Sequence, residues 1–298
     1  MLTLFASPKS FRGHVGVIQR NAVHSWTRLK PRPEIILLGE EEGVSQTAVE
    51  FGVRHVSGIH CNDFGAPLLD DLFAKARQAA TFDLLAYVNA DIILLDDFMA
   101  AIERVRRWRS RFLMVGRRWD IDIREELDFA EADWANRLKT LVQHSGKRRP
   151  SDWIDYFVFS KDLTDGLLPF TIGRTVWDNW LIWHARDMKL PVVDASLAVM
   201  AVHQNHDYSH HVQGHDGIWR GEEAQRNRAL IGGWWRHYTT GDATYLLSST
   251  RIEPNLRHWV VKLKRAGRFL GTSIWFGFLD LTRPIRQRLG LRKRVNPT

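Results

Sequence analysis

Cysteine is almost absent from this chain of 298 residues, which has only Cys61. A single thiol cannot form an intramolecular disulfide, and its rarity favours a reducing compartment. Long apolar runs are also lacking. The longest candidate, Ile274–Leu279, is far shorter than the roughly 18 residues that a membrane-spanning helix needs. No basic stretch precedes the first apolar run, as it would in a secretory signal. We therefore expect a cytoplasmic protein that could still bind the inner face of a membrane peripherally.

An excess of charge of one sign is lacking over most of the chain. Residues 1–250 contain 30 basic and 32 acidic side chains, whereas residues 251–298 contain 12 basic and 2 acidic ones. The formal charge of +8 therefore belongs to the C-terminal segment. Basic residues flank an apolar helical stripe there, a pattern typical of a helix on an anionic membrane surface. We expect residues 255–298 to bind such a surface or to pack on the body, and we expect no nucleic acid partner.

Short apolar runs alternate with amphipathic segments over the first 120 residues. Strands are predicted at Leu2–Ala6, Glu34–Gly39, Val53–Val56, Leu84–Ile93 and Phe112–Gly116, and helices at Val15–Leu29, Ser45–Phe51, Leu68–Ala80 and Asp97–Trp108. This alternation is typical of βαβ units. It predicts an α/β fold with a mainly parallel, Rossmann-like sheet flanked by helices.

The pattern changes after about residue 120. Here the sequence predicts helices at Glu131–His144, Thr175–Met188 and Glu222–Gly232, strands at Trp153–Ser160 and Pro191–Ala195, and a polar, histidine-rich loop at Val202–Asp216. Polar and charged groups are too frequent in that loop for a core segment.

The motif Asn89-Ala90-Asp91 ends an apolar predicted strand. Ligands of open α/β sheets bind beyond the carboxyl ends of the strands. An aspartate two residues from an amide can hold a divalent cation that bridges phosphates. The alternative interpretation is an Asx turn that simply ends the strand.

The order of these strand ends resembles the nucleotide-sugar half of GT-A glycosyltransferases. Ala6-Ser7-Pro8-Lys9 follows the first strand, Gly39-Glu40-Glu41 the second, and Asn89-Ala90-Asp91 a later one. The resemblance implies that Ala6, Ser7, Lys9 and Glu40 contact the nucleoside. It also implies that Asn89, Ala90 and Asp91 meet the diphosphate through Mn²⁺ or Mg²⁺. Asn89 stands where the family's D-x-D motif has its first aspartate.

Three further landmarks of that family have candidates in the expected order, so the resemblance covers about residues 1–210. Gly173 and Arg174 lie in a glycine-containing loop and are expected to bind the donor. Asp178 opens a predicted helix and is the candidate base that takes the acceptor proton. His203 follows the last core strand and is expected to join Asp91 as a metal ligand.

The predicted acceptor side consists of Asp155, Trp177, Trp180, His206 and Asp207. A carboxylate at Asp155 in an apolar strand needs a partner, which could be a sugar hydroxyl or a structural group. Trp177 and Trp180 share one helical face, where they could stack on a pyranose or pack in the core. His206 and Asp207 lie in the loop that we expect to order over the donor.

The resemblance also divides the chain. We expect a GT-A-like catalytic domain at 1–215, with a nucleotide-binding half at 1–120 and an acceptor half at 121–215. A helical, basic extension is expected at 216–298.

Together these features predict an inverting glycosyltransferase of polysaccharide biosynthesis. It would move a sugar from a UDP- or GDP-sugar to a hydroxyl of a glycan or lipid-linked acceptor. A sugar nucleotidyltransferase is one alternative, although the usual glycine-rich first loop is missing. A zinc hydrolase is another, because His203, His206 and Asp207 could ligate zinc together with His210 or Asp91.

Overall fold

The computed structural model describes residues 1–206, 214–256, 258 and 261. Its strands are β1 (Thr3–Ala6), β2 (Glu34–Leu38), β3 (Arg54–Val56), β4 (Leu84–Val88), β5 (Ile92–Ile93), β6 (Leu113–Ile121), β7 (Lys147–Arg148), β8 (Ile154–Ser160), β9 (Val192–Asp194), β10 (Ala201–Gln204), β11 (Tyr245–Leu247) and β12 (Ile252–Pro254). Its α-helices are α1 (Gly13–Arg28), α2 (Val44–Phe51), α3 (Leu69–Ala79), α4 (Asp96–Trp108), α5 (Trp134–Ser145), α6 (Trp177–Asp187), α7 (Gly214–Arg220) and α8 (Glu222–Leu230).

The central sheet has the order β12-β11-β9-β6-β8-β4-β1-β2-β3. Of these nine strands, β8 and β12 run opposite to the other seven. Three further strands lie beside this path. β7 and β10 both pair with the second half of β6, and β5 pairs with β10. The predicted α/β class with a mainly parallel sheet is confirmed.

Both faces of the sheet are covered by helices, which explains the bare apolar runs in the sequence. Leu4 belongs to the apolar layer that contains Trp26 of α1, whereas the next residue, Phe5, belongs to the layer that contains Phe73 of α3 and Trp180 of α6. Successive side chains of a strand point to opposite faces, so a doubly covered strand must be apolar at every position.

The predicted strand Leu84–Ile93 is wrong as a single element. β4 ends at Val88, a turn closes with the amide of Ile92 donating to the carbonyl of Asn89 at 3.1 Å, and β5 then pairs with β10. The apolar residues on either side of Asn89 hid this break. The Asn89-Ala90-Asp91 motif therefore occupies the turn between β4 and β5.

The predicted loop Val202–Asp216 is wrong at both ends, because its first residues belong to β10 and Gly214 begins α7. Polar strand residues are stabilised here by side-chain hydrogen bonds. Gln204 is fully buried and donates to the carbonyls of Ile18 and Asp91, and it accepts from Asn21. Residues 207–213, which include Asp207 and His210, lie outside the described residues.

β6 runs five residues beyond the predicted end at Gly116, and it bends there. The pairing register shifts between Val115 and Arg117, and a Cβ at Gly116 would lie 2.0 Å from the Tyr156 hydroxyl. Glycine permits this close approach. Beyond the bend β6 pairs with β10, which places Asp120 opposite His203.

The compact unit formed by Met1–Asn255 includes β11 and β12, which extend the central sheet through β9. The division at residue 215 stays a prediction. The apolar stripe predicted after Pro254 falls almost wholly outside the described residues. Within the described part of the chain, no helix has the length and apolar character required to cross a bilayer.

The bend of β6 generates a stability prediction. Gly116→Ala should lower the free energy of unfolding by about 1–3 kcal/mol, because the new methyl group overlaps the Tyr156 ring and hydroxyl. Tyr156→Phe should cost little, since this buried hydroxyl has no hydrogen-bond partner among the described residues. Urea denaturation of both variants and of the double variant checks this. The double variant should recover part of the lost stability. If the changes in unfolding free energy of the two single variants simply add in the double variant, this would contradict the proposed overlap.

Candidate active site

One cleft collects side chains from widely separated parts of the chain. Ten of the predicted site residues line it: Lys9, Asn89, Asp91, Asp155, Gly173, Arg174, Trp177, Asp178, His203 and His206. The carboxyl end of β4, the start of β8, the start of α6 and the end of β10 meet here. Their roles stay predictions, but their convergence makes one site out of residues up to 197 positions apart.

Five predicted residues do not line this cleft. Ala6 is buried in β1, and Ser7 and Ala90 lie beside the strand ends. Glu40 accepts a hydrogen bond from the Gly58 amide at 2.9 Å. Trp180 is 2% exposed and stacks on His184, so it packs in the core.

Asp91, His203 and His206 form a candidate metal centre. Asp91 Oδ2 lies 3.6 Å from Nε2 of His203 and 3.2 Å from Nε2 of His206, and potential ligand atoms of the three residues all lie within 4.8 Å of one another. Asp91 Oδ1 is buried and has no hydrogen-bond partner among the described residues. One carboxylate and two imidazoles suit Mn²⁺ or Zn²⁺ better than Mg²⁺, which prefers oxygen ligands. The donor set therefore fits a divalent cation.

A carboxylate that the sequence analysis missed lies behind His203. Asp120 Oδ1 is 3.3 Å from His203 Nδ1, and Asp120 is held by Arg118 Nε at 2.8 Å and Arg149 Nε at 3.2 Å. A proton on Nδ1 that faces Asp120 leaves Nε2 as the atom directed to Asp91, an arrangement common around metal-bound histidines. Sequence spacing offered no signal, because only the register of β6 against β10 brings Asp120 to His203.

The electrostatics of this centre follow from its geometry. Burial by itself would lower the pKa of His203, but the Asp91 carboxylate and the nearby Asp120 carboxylate raise it to about 8. Burial would raise the pKa of Asp91, yet the two histidines hold it well below its usual range. Asp91 is thus kept ionised, as a metal ligand must be.

Asp155 is already paired in the structure. It is 6% exposed, Arg118 Nη1 lies 3.1 Å from both of its oxygens, and Asn89 Nδ2 donates to Oδ1 at 2.6 Å. This contact explains why asparagine occupies the first position of the motif. An aspartate at position 89 would place a second carboxylate against Asp155, whereas an amide donates to it.

Arg174 and Lys9 are also held by neighbouring groups. Arg174 Nε and Nη2 donate to Glu223 Oε2 at 2.8 and 2.5 Å, and Glu223 of α8 is 5% exposed. The backbone of Lys9 is fixed on both sides by Gln19, whose amide accepts from its N–H and donates to its carbonyl. Burial lowers the pKa of the Lys9 ammonium, while Asp91 opposes that shift.

Asp178 lies in the first turn of α6, next to a strained backbone. Val176, at the N-cap, has a φ of 77°, a left-handed conformation that is rare for a β-branched residue. Burial, with a contribution from the charge of Asp155, raises the pKa of the Asp178 carboxyl to about 7. A carboxylate with this pKa can accept a proton near neutral pH.

Carboxylates hold the two arginines of the cleft lining. Arg118 is paired with Asp155 and Asp120, and Arg174 is paired with Glu223. Their charge is therefore balanced within the protein. A divalent cation at Asp91, His203 and His206 would add positive charge for an anionic ligand such as a nucleoside diphosphate.

No protein-family model and no curated protein sequence matches the chain. Solved structures with a similar chain path include glucosyl-3-phosphoglycerate synthase from Mycobacterium tuberculosis with Mg²⁺ and UDP. That protein is 12% identical, with a TM-score of 0.45, over 80% of this chain and 79% of its own. The same enzyme with Mn²⁺, UDP-glucose and phosphoglyceric acid is 13% identical over 86% and 90%, at 0.46. TarS 1–349 of S. aureus is 10% identical over 69% and 58%, at 0.41. Similarity at this level does not define a family.

The contact of Asp120 with His203 predicts an effect on metal affinity. Asp120→Asn should weaken Mn²⁺ binding by about 10- to 100-fold, because the neutral amide orients and polarises the imidazole less strongly. Isothermal calorimetry with MnCl₂ alone measures this. Asp83→Asn, at an exposed carboxylate at the other end of β4, should bind Mn²⁺ like the parent protein. Equal Mn²⁺ affinities for all three proteins would contradict the proposed role of Asp120.

The raised pKa of Asp178 predicts how stability depends on pH. Its folded-state pKa of about 7 exceeds the ordinary value of 3.8. The folded protein therefore binds this proton more tightly, and it loses stability as the pH rises from about 4 to about 7. Asp178→Asn should therefore raise the melting temperature at pH 8 by a few degrees, and the gain should shrink towards pH 4. Differential scanning calorimetry, with the exposed Asp187→Asn on the same helix as control, checks this. A gain independent of pH would contradict it.

Proposed function

We propose that this chain is a metal-dependent glycosyltransferase that moves a sugar from a UDP- or GDP-sugar to an acceptor hydroxyl. The observation that carries the proposal is a single cleft that combines the metal centre of Asp91, His203 and His206 with a separate carboxylate, Asp178, of pKa about 7. Sugar transfer with inversion needs these two devices: charge stabilisation on the leaving diphosphate and a base on the acceptor hydroxyl.

The donor would bind with its diphosphate at the carboxyl end of β4. Asp91, His203 and His206 would hold Mn²⁺ or Mg²⁺, and the two imidazoles favour Mn²⁺. When bound, the cation supplies positive charge that offsets the diphosphate and stabilises it as it leaves. Lys9, at the end of β1, adds positive charge on the same side. Because both arginines of the lining are paired with carboxylates, we expect donor binding to need the cation.

Asp178 would act on the acceptor. Its carboxylate takes the proton of the acceptor hydroxyl while the oxygen forms a bond to the anomeric carbon. The bond between that carbon and the phosphate oxygen breaks, and the nucleoside diphosphate leaves with the electron pair. Attack on the face opposite the leaving group inverts the anomeric configuration. Trp177 lines the cleft beside Asp178, but it is 4% exposed and its ring packs against Tyr87 and Phe157, so it supports the wall of the cleft.

A zinc hydrolase is the second candidate, because two histidines and a carboxylate also suit catalytic zinc. The transferase is favoured because the cleft holds, besides the three candidate metal ligands, a further carboxylate, Asp178, on a different element. Purified protein with stoichiometric, tightly bound zinc would favour the hydrolase instead.

The acceptor is proposed to be a glycan or a lipid-linked sugar of polysaccharide biosynthesis, handled in the cytoplasm. Peripheral binding of residues 255–298 to an anionic membrane would bring the enzyme to a lipid-linked acceptor. That part of the proposal rests on the +10 net charge and apolar stripe of the segment.

Two substitutions should separate donor binding from transfer. Asp178→Asn should reduce UDP or GDP release from a panel of UDP- and GDP-sugars at least 100-fold, because water or an added acceptor loses its base. Calorimetric binding of the nucleotide with Mn²⁺ should persist. Asp91→Ala should abolish that binding, as should removal of the cation with EDTA. Asp187→Asn should match the parent in both assays. Near-normal release by Asp178→Asn, or nucleotide binding unaffected by Asp91→Ala and EDTA, would contradict the proposal.

A further inference from the structure

An exposed aromatic turn follows α8 and adjoins the cleft. Residues 233–238, which we call the aromatic turn, contain a short 3₁₀ helix at Trp234–Arg236. Trp234 is 64% exposed and Trp235 is 41% exposed, and both are among the most exposed large apolar side chains of the described residues. Exposed tryptophans held beside a polar cleft commonly mark a binding surface.

We propose that the aromatic turn is a saccharide-binding subsite for the part of the acceptor that extends beyond its reacting hydroxyl. The inference rests on the proposed function and deepens it, because it makes the acceptor a glycan with at least one sugar unit outside the cleft.

Hydrogen bonds anchor the turn next to the candidate base. The amide of Tyr238 donates to the carbonyl of Asn179 at 3.2 Å, and Asn179 Nδ2 donates to the carbonyl of Tyr238 at 2.8 Å. Asn179 is 4% exposed and directly follows Asp178 in α6. The end of the aromatic turn is therefore fixed to the element that carries the candidate base.

His237 connects the aromatic turn to the cleft. Trp234 lies 5.2 Å from His237, measured between ring centroids, and His237 lines the cleft together with Asp178 and Trp219. Trp219 lies 6.0 Å from Trp153, which also lines the cleft. A chain of sugars that leaves the cleft past His237 would meet Trp234 next.

The turn holds the Trp235 ring in place. Gly233 has a φ of 138°, and a Cβ there would lie 2.8 Å from the Trp235 ring, so glycine is required. The Arg236 guanidinium lies 4.5 Å from the ring centroids of both Trp183 and Trp235. Rings that are fixed before binding lose little conformational entropy when a ligand stacks on them.

The chemistry of the turn suits a saccharide. The C–H face of a pyranose is apolar and stacks on an indole, while its hydroxyls need polar partners at the edge of the ring. The Arg236 guanidinium lies against the Trp235 ring and carries such hydrogen-bond donors.

The test uses the full chain and linear hexaoses of glucose, N-acetylglucosamine, mannose and galactose as probes. Calorimetry should detect binding of at least one hexaose, and Trp234→Ala should weaken it about tenfold, the loss expected for one stacking contact. Trp234→Phe, which keeps an aromatic face, should restore most of the affinity. Phe64→Ala is the matched control, because Phe64 is 55% exposed and lies outside the cleft lining.

Three outcomes would overturn the subsite: no hexaose binds, Trp234→Ala binds as tightly as the parent, or Trp234→Ala changes the oligomeric state in size-exclusion chromatography while hexaose affinity is kept. Binding of UDP or GDP with Mn²⁺ is measured on the same variants and should not change. If the parent protein does not bind the nucleotide, this would count against the proposed function. The hexaose measurements test the subsite separately.

Discussion

The Arg118 guanidinium is the contact on which the rest of the site depends. It is bonded to Asp155 on β8 and to Asp120 on its own strand, and it is 7% exposed. Without it, two carboxylates would face each other across a buried gap, at a cost of several kcal/mol. With it, Asp155 can bind Asn89 and Asp120 can face His203. One cation thus fixes both the motif after β4 and the histidine on β10.

The same pairing decides what the cleft can bind. Both arginines of the lining are neutralised by carboxylates, so their charge orders the protein before any ligand arrives. A cation at the candidate centre of Asp91, His203 and His206 would add positive charge for a phosphate ligand. The amide of Asn89 donates to Asp155 instead of facing that centre as a carboxylate.

Strain and unfavourable burial are concentrated at the start of α6. Val176 has a left-handed backbone, and Asp178 has a pKa raised to about 7 by burial. Both features reduce stability, and neither is required by the packing of the central sheet. Features of this kind cluster where function needs a pre-organised group. The aromatic turn is tied to the same segment by two hydrogen bonds between Asn179 and Tyr238.

The sequence by itself determined the class of fold, because apolar runs and amphipathic periods are local properties that set strands and helices along the chain. It also identified ten residues that line one cleft, since ends of parallel strands meet at a common edge. It could not predict the break of the strand at Asn89 or the strand that carries His203, because Asp155 and Asn21 satisfy those polar groups from distant positions. Only the tertiary structure decided that Asp120 lies behind His203 and that Trp180 packs in the core. These contacts depend on the register of β6 against β10, on the bend at Gly116 and on long-range pairing, and sequence spacing does not encode such distances.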